Sequence, residues 1–383
     1  MNKLHIICFT LIFQSAFNGC KYSKPTDSAS VTNQEYAELS YAKGFAVEEK
    51  DRYKIVSVFN PWQNSKGVVF QYVLGRDASA VPDSLSRLMF VKIPVEKVVT
   101  MSTTHIAFID TLNVTESISG VSGGKYVYND KLLNLIQKEI IKDIGFEQSL
   151  NYELIIALDP DVIFLFGVEG NIGGTIAKLK DLGLVPVMCG DYLETHPLGK
   201  TEWIKFFSEF YDLRQQADKI FSGIDSSYNA ILKISSDKRI RPAVLSGLSW
   251  KNTWHVPGGK SFAARLIIDA GGNYLWSDNT SEEAVPLDME SVFMKAVNAD
   301  IWINPGHIGA LQDLYEFEER FRYLPAFVNG RVYNNDKRVN AYGGNDYWES
   351  GTLRPDLIIQ DLHAIFYPDQ AGDHQFIYYR KLK

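Results

Sequence analysis

Ser122 stands between glycines in the run Gly120-Val121-Ser122-Gly123-Gly124, the spacing of a nucleophile elbow. In such an elbow a serine on a sharp strand-to-helix turn attacks an acyl carbon, with a histidine as base and an acid to orient it. Asp269 follows in the chain, with His307 and His363 after it, in the order a hydrolase of this kind requires. The surroundings argue the other way. The apolar run before Ser122 is short, and Lys125-Tyr126-Val127-Tyr128-Asn129-Asp130 is a poor start for a tightly packed helix. A glycine-rich loop at the edge of a binding cleft accounts for the same residues.

A second pattern carries charge. Asn151-Tyr152-Glu153 leads to Asp159-Pro160-Asp161 and an apolar run, and Asp288-Met289-Glu290 leads to Asn298-Ala299-Asp300 and another. Each copy opens on a good helix N-cap and puts a glutamate in the first turn, where the helix dipole favours it. Each closes on a short run that reads as a strand buried on both faces. One such glutamate is explained by the dipole alone. Two at matched positions imply two related halves with matched docking points, because opposite charges steer an encounter and fix its register.

Metal chemistry has little support of its own. The sequence holds no CxxC, no HExxH and no histidine pair four residues apart, so a resident metal or cofactor is not expected. His105 and His255 are of the right type to meet a metal carried by a ligand, and a structural histidine is the competing reading. With a formal net charge of −7 and no long basic run, the chain lacks the face that nucleic acid requires.

The elements that must position these residues begin after an address. Lys3 precedes an apolar stretch too short to span a bilayer, and Phe17-Asn18-Gly19-Cys20 resembles a lipobox that would lipidate Cys20. Residues 1–20 therefore read as a lipoprotein signal and 21–35 as a polar tether. Of the other two cysteines, Cys8 falls in the signal and Cys189 follows an apolar run as a buried thiol. Residues 36–91 read as a small β extension whose role the sequence does not supply. From Val98 strands alternate with helices, the mark of a parallel α/β sheet. Between Leu213 and Ser235 apolar residues recur every three or four positions, which predicts one helix of about 35 Å. A second α/β region follows and ends in a helix opened by Pro355 and Asp356. The expected fold is α/β: two Rossmann-like lobes with parallel sheets joined by one long α-helix, plus the extension. The boundaries are 21–91 (tether and extension), 92–212 (first lobe), 213–236 (interlobe helix) and 237–383 (second lobe).

In open α/β sheets ligands sit beyond the carboxyl ends of the strands. That rule selects Ser102, Thr103, Thr104 and His105, then Ser122, Gly123 and Tyr126, and then Tyr192 from the first lobe. From the second it selects Trp250, Trp254 and His255 before Pro257-Gly258-Gly259, and Tyr347 and Trp348 in a glycine-rich loop. Local packing is the competing role for each aromatic.

The run from Val98 to His105, the segment 153–166, the stretch from Gly258-Gly259 to Gly271-Gly272 and the run from Pro355 to Pro368 together resemble a known family. It is the helical-spine class of periplasmic substrate-binding proteins, which serve vitamin B12 and ferric-siderophore ABC importers. The resemblance covers residues 95–368. It implies two lobes on a rigid helix, with little hinge motion, enclosing a siderophore, haem or cobalamin-like ligand. It also implies a permease dimer as partner, with Glu153 and Glu290 at the positions of the docking glutamates, and no catalysis. An exported protein, lipid-anchored to a bacterial envelope and facing the periplasm, is the corresponding expectation. A surface lipoprotein that captures ligand without a permease is the remaining alternative.

Overall fold

The computed structural model describes residues 38–146, 149–167 and 172–383. The expected signal segment and Cys20 lie outside the described residues. Among the described residues no helix is long and apolar enough to cross a membrane.

The extension forms a complete sheet. Strands β1 (Phe45–Glu49), β2 (Tyr53–Phe59), β3 (Val69–Gly75) and β4 (Met89–Lys92) lie side by side in that order. The first three are antiparallel, and β4 runs parallel to β3. Val47, Val56, Val58, Tyr72, Leu74 and Val91 are buried from it.

The first lobe then alternates as its sequence predicts. It runs β5 (Val98–Thr100), α1 (Thr103–Thr111), β6 (Ile118–Val121), α2 (Asp130–Gln137), β7 (Lys142–Asp143), α3 (Tyr152–Leu158), β8 (Val162–Leu165), α4 (Ile172–Asp181) and β9 (Pro186–Met188). The strands form a parallel sheet in the order β7-β6-β5-β8-β9. Alternate residues serve opposite faces. Val98, Phe164 and Val187 join the main core, while Val99, Ile163, Leu165 and Met188 join a second cluster with Ile172, Ile176 and Leu179 of α4.

Two helices follow: α5 (Pro197–Tyr211) and α6 (Arg214–Ser236). The second is the long helix expected from periodicity. It buries Ala217, Phe221, Ile224 and Tyr228 along one stripe and packs on α5. The first is absent from the sequence reading, because almost every one of its residues is buried and no polar face marks its period. Its charged residues are buried in pairs or clamps. Glu202 accepts hydrogen bonds from the backbone amides of Ser40, Tyr41 and Ala42 at 2.8–2.9 Å and from Lys205 at 3.0 Å. Glu194, just before α5, accepts from the amides of Lys43 and Gly44, both at 2.8 Å, and from the Trp203 indole at 3.1 Å. Glu209 takes Lys54 at 2.6 Å and Arg214 at 2.7 Å. These carboxylates fasten the β extension to the first lobe, which gives residues 38–91 a structural role.

The second lobe comprises β10 (Ala243–Ser246), β11 (Ser249–Trp250), β12 (Thr253–Val256), α7 (Phe262–Asp269), β13 (Asn273–Tyr274), β14 (Val285–Asp288), α8 (Met289–Ala296), β15 (Ile301–Ile303), α9 (Leu311–Phe317), α10 (Pro325–Val328), β16 (Val332–Asn334), α11 (Ser350–Leu353), α12 (Pro355–Phe366) and β17 (Arg380–Lys381). Its main sheet has the order β13-β10-β15-β16-β17, parallel except at β17. A small antiparallel sheet, β11-β12-β14, departs from the all-parallel expectation. Helix α12 packs against α6 and α7.

The two sheets repeat one plan. Order β6-β5-β8-β9 in the first matches β13-β10-β15-β16 in the second, with α3 feeding β8 and α8 feeding β15. The closing aspartates repeat as well. Asp161 accepts from the amides of Glu96 and Lys97 at the foot of β5, and Asp300 from that of Ala243 at the foot of β10.

Two substitutions test this packing. Glu202→Ala strands three amides and Lys205 and is expected to cost about 3–5 kcal/mol of unfolding free energy in urea titrations. Gly223, exposed on α6 with open space where a Cβ would stand, should gain about 1 kcal/mol as Gly223→Ala.

Candidate functional site

A pocket of about 310 Å³ opens beyond the carboxyl ends of the first-lobe strands. Met101, Ser102 and Thr103 line it after β5, Ser122, Gly123 and Tyr126 after β6, and Phe146 after β7. Leu165 and Phe166 at the end of β8 and Ile172 and Thr175 of α4 complete the wall. The Ser102 hydroxyl caps α1 by accepting from the Thr104 amide at 3.3 Å and lies 2.9 Å from the Thr104 hydroxyl. Asp143 pins the two neighbouring turns, accepting from the amides of Gly124 at 2.9 Å and Gly145 at 3.0 Å.

Five of the selected residues line this pocket: Ser102, Thr103, Ser122, Gly123 and Tyr126. Thr104 stands one residue behind them. Tyr192 donates its hydroxyl to the Gly167 carbonyl and sets its ring edge-on to Phe166. Trp250 and Trp348 are exposed, and Trp250 meets His307 edge-on at 6.3 Å.

Others are taken up by the core. His105 is fully buried among Phe164, Phe166 and Phe207, with Nε2 3.7 Å from Asp191. It follows the capping residues on the inner face of α1, so it cannot reach a ligand in the pocket. Trp254 is fully buried against Trp302 and Phe321 and donates to the Ser246 carbonyl at 3.1 Å. His255, its neighbour on β12, points the opposite way and is exposed. Tyr347 is buried against Tyr378 and Tyr379. The Gly258-Gly259 pair serves its own lobe: a Cβ on Gly259 would lie 2.2 Å from the Asn279 carbonyl.

The residues of the hydrolase reading are dispersed. Ser122 donates its hydroxyl to the Gly145 carbonyl at 2.8 Å. Asp269 accepts from Tyr228 and Arg265, both at 2.7 Å, and His363 lies 2.9 Å from the Ser235 hydroxyl. Each has a structural partner in place of a catalytic one.

The lobes meet at the pocket rim through contacts that sequence reasoning missed. The Asn340 amide donates to the carbonyls of Lys125 at 3.0 Å and Val127 at 2.9 Å. Gly344 sits so close to Tyr126 that a Cβ there would be 2.3 Å from its carbonyl oxygen. Glu349, buried, accepts from the amides of Tyr128 at 2.7 Å and Asn129 at 2.9 Å. Burial pushes the Glu349 carboxyl up to about 7; the two amides oppose this, and nearby Asp346 and Asp110 add to it. The glycines of 342–344 were a visible signal of a close approach. Nothing marked Asn340 or Glu349, because their partners are backbone atoms of the other lobe.

A model of the periplasmic binding protein family matches residues 98–339, well over half of the chain. The chain belongs to that family. An uncharacterized lipoprotein of Methanocaldococcus jannaschii is 29% identical to it over 73% of this chain and 67% of its own length. Among solved structures, a periplasmic heme binding protein from Pseudomonas aeruginosa covers 76% of this chain and 98% of its own, at 15% identity and a TM-score of 0.57. A periplasmic vitamin B12 binding protein from Vibrio cholerae covers 73% and 99%, at 15% identity and a TM-score of 0.50. The fold is that of the two-lobed, helical-spine binding proteins, and the family is one of solute binders.

The burial of the Glu349 carboxyl gives this binding protein a pH dependence of known sign. The folded state holds the Glu349 proton more tightly than the unfolded state, whose carboxyl titrates near its ordinary value of about 4.3. Its contribution is therefore full below pH ~4 and is lost as pH rises through about 7. The difference in unfolding free energy between wild type and Glu349→Gln should fall by roughly 3 kcal/mol from pH 4 to pH 8.

Proposed function

We propose that this protein captures a metal-bearing chelate or macrocycle between its lobes and hands it to an ABC permease dimer. The ligand class is an iron complex, haem or corrinoid. The metal arrives as cargo, and the protein needs no cofactor of its own. Cys20 carries the lipid that holds the protein to the cell envelope, facing the periplasm. The lipoprotein name of the Methanocaldococcus jannaschii relative supports the anchor, and the heme and vitamin B12 binders of like fold support the ligand class.

The repeated plan of the two sheets is the observation that carries the docking reading. It puts α3 and α8 in equivalent positions, each with an N-cap side chain bonded to the third helical amide: Asn151 to Leu154 at 3.0 Å and Asp288 to Ser291 at 2.7 Å. Glu153 and Glu290 then occupy the same place on each helix, and both are exposed. A two-fold partner offers two equivalent basic pockets, and a pseudo-two-fold pair of glutamates answers both. The copies differ in one respect. Glu153 has no ion-pair partner among the described residues, whereas Glu290 receives Arg320 at 3.1 Å, a guanidinium also held by Glu318 at 2.9 Å.

Reversing both charges, Glu153→Arg with Glu290→Arg, is expected to reduce cellular uptake of the ligand at least 10-fold while its affinity for the purified protein stays unchanged. Uptake at the wild-type rate would instead favour a surface lipoprotein that captures ligand without a permease, since that reading has no use for the two glutamates.

A further inference from the structure

Among the described residues, the first-lobe wall of the pocket carries no formal charge. All its lining side chains are apolar, aromatic or hydroxylated: Met, Ser, Thr, Gly, Tyr, Phe, Leu and Ile. Among the described residues, the adjoining turns carry one charge of each sign. Asp143 is tied to the amides of Gly124 and Gly145, and Lys125 is exposed with its ammonium over the Tyr126 ring, 5.0 Å from the centroid. Across the rim, Arg338 is committed to Asp346 at 3.0 Å. The loop that bridges to Tyr126 exposes Tyr342 and Trp348.

A ligand anion moved from water against this wall loses its hydration and meets no cation among the described residues that line it, which is costly. The start of α1 supplies a partial positive charge, enough to favour an amide or hydroxamate oxygen. It does not balance a carboxylate or a trianionic chelate. Rings and hydroxyls suit a ligand with hydrocarbon and uncharged oxygen on its surface.

We infer that the ligand is an electrically neutral chelate, one whose metal charge is cancelled by its own donor atoms and whose periphery is amide and hydrocarbon. This rests on the proposed function, since it names the ligand class of the same site. Ferric trihydroxamates of the ferrichrome kind and corrinoids fit. Ferric tricatecholates, which keep three negative charges, and haem, with two propionates, do not.

The test is a titration of the full-length chain in detergent, read by tryptophan fluorescence, with four probes: ferrichrome, cyanocobalamin, a ferric tricatecholate and haem. The expected result is that ferrichrome or cyanocobalamin binds at least 100-fold more tightly than either anionic probe. Tight binding of the tricatecholate or haem, with the neutral probes weaker, overturns the inference and leaves the chelate reading standing. Silence from all four removes the chelate reading and the inference with it. Thr103→Lys places a cation in the same wall. It should raise affinity for whichever anionic probe binds measurably at least 10-fold and weaken the neutral one. A variant that folds, as judged by its melting curve, yet shows no such gain means that charge does not set the preference.

Discussion

Two backbone amides of the first lobe, Tyr128 and Asn129, end on one carboxylate of the second, that of Glu349. The geometry of the pocket rim depends on that contact, because the turn holding Ser122, Gly123 and Tyr126 lies just before those amides. Irregular backbone must have its N–H groups satisfied when it is buried. This chain repeatedly solves the problem with a carboxylate. Glu202 and Glu194 do it for residues 40–44, Asp161 for the foot of β5, and Asp361 for the amides of Ile377, Tyr378 and Tyr379. A charge-assisted hydrogen bond is stronger than a neutral one and holds a loop in one geometry. Among the described residues, only at Glu349 does the same device join the two lobes.

The helices behind the pocket complete the constraint. Helix α6 is pinned between α5 and α12, and α12 reaches α7 of the second lobe. Both lobes therefore rest on one helical layer, and a change in their separation must disturb that layer as well as the rim. A stiff frame suits a protein that holds a bulky, pre-shaped ligand, since little ordering free energy is then spent on closure.

Much of this was legible in the sequence, and the reasons differ by element. Strands buried on both faces announce themselves as apolar runs, and α6 by an apolar stripe with a polar back. The matched N-caps at Asn151 and Asp288 are local chemistry and could be read directly. Helix α5 could not, because full burial erases the period that identifies a helix. Site residues divided along the same line. Ser102, Thr103, Ser122, Gly123 and Tyr126 follow strand ends, where a chain-order rule finds them. His105 and Trp254 are of suitable type and near the right place, yet the inward direction of their side chains is set by α1 and β12 and not by composition. Asn340 and Glu349 act on backbone atoms more than 200 positions away, and no local pattern encodes such a contact.

The central claim is that a solute is held between the lobes and touches both. Hydrogen exchange measured with and without a bound ligand tests it most directly. Slowed exchange at 102–104 and 122–129 in the first lobe together with 340–349 in the second is the predicted result. Protection confined to one lobe, or appearing only on α3 and α8, would contradict it.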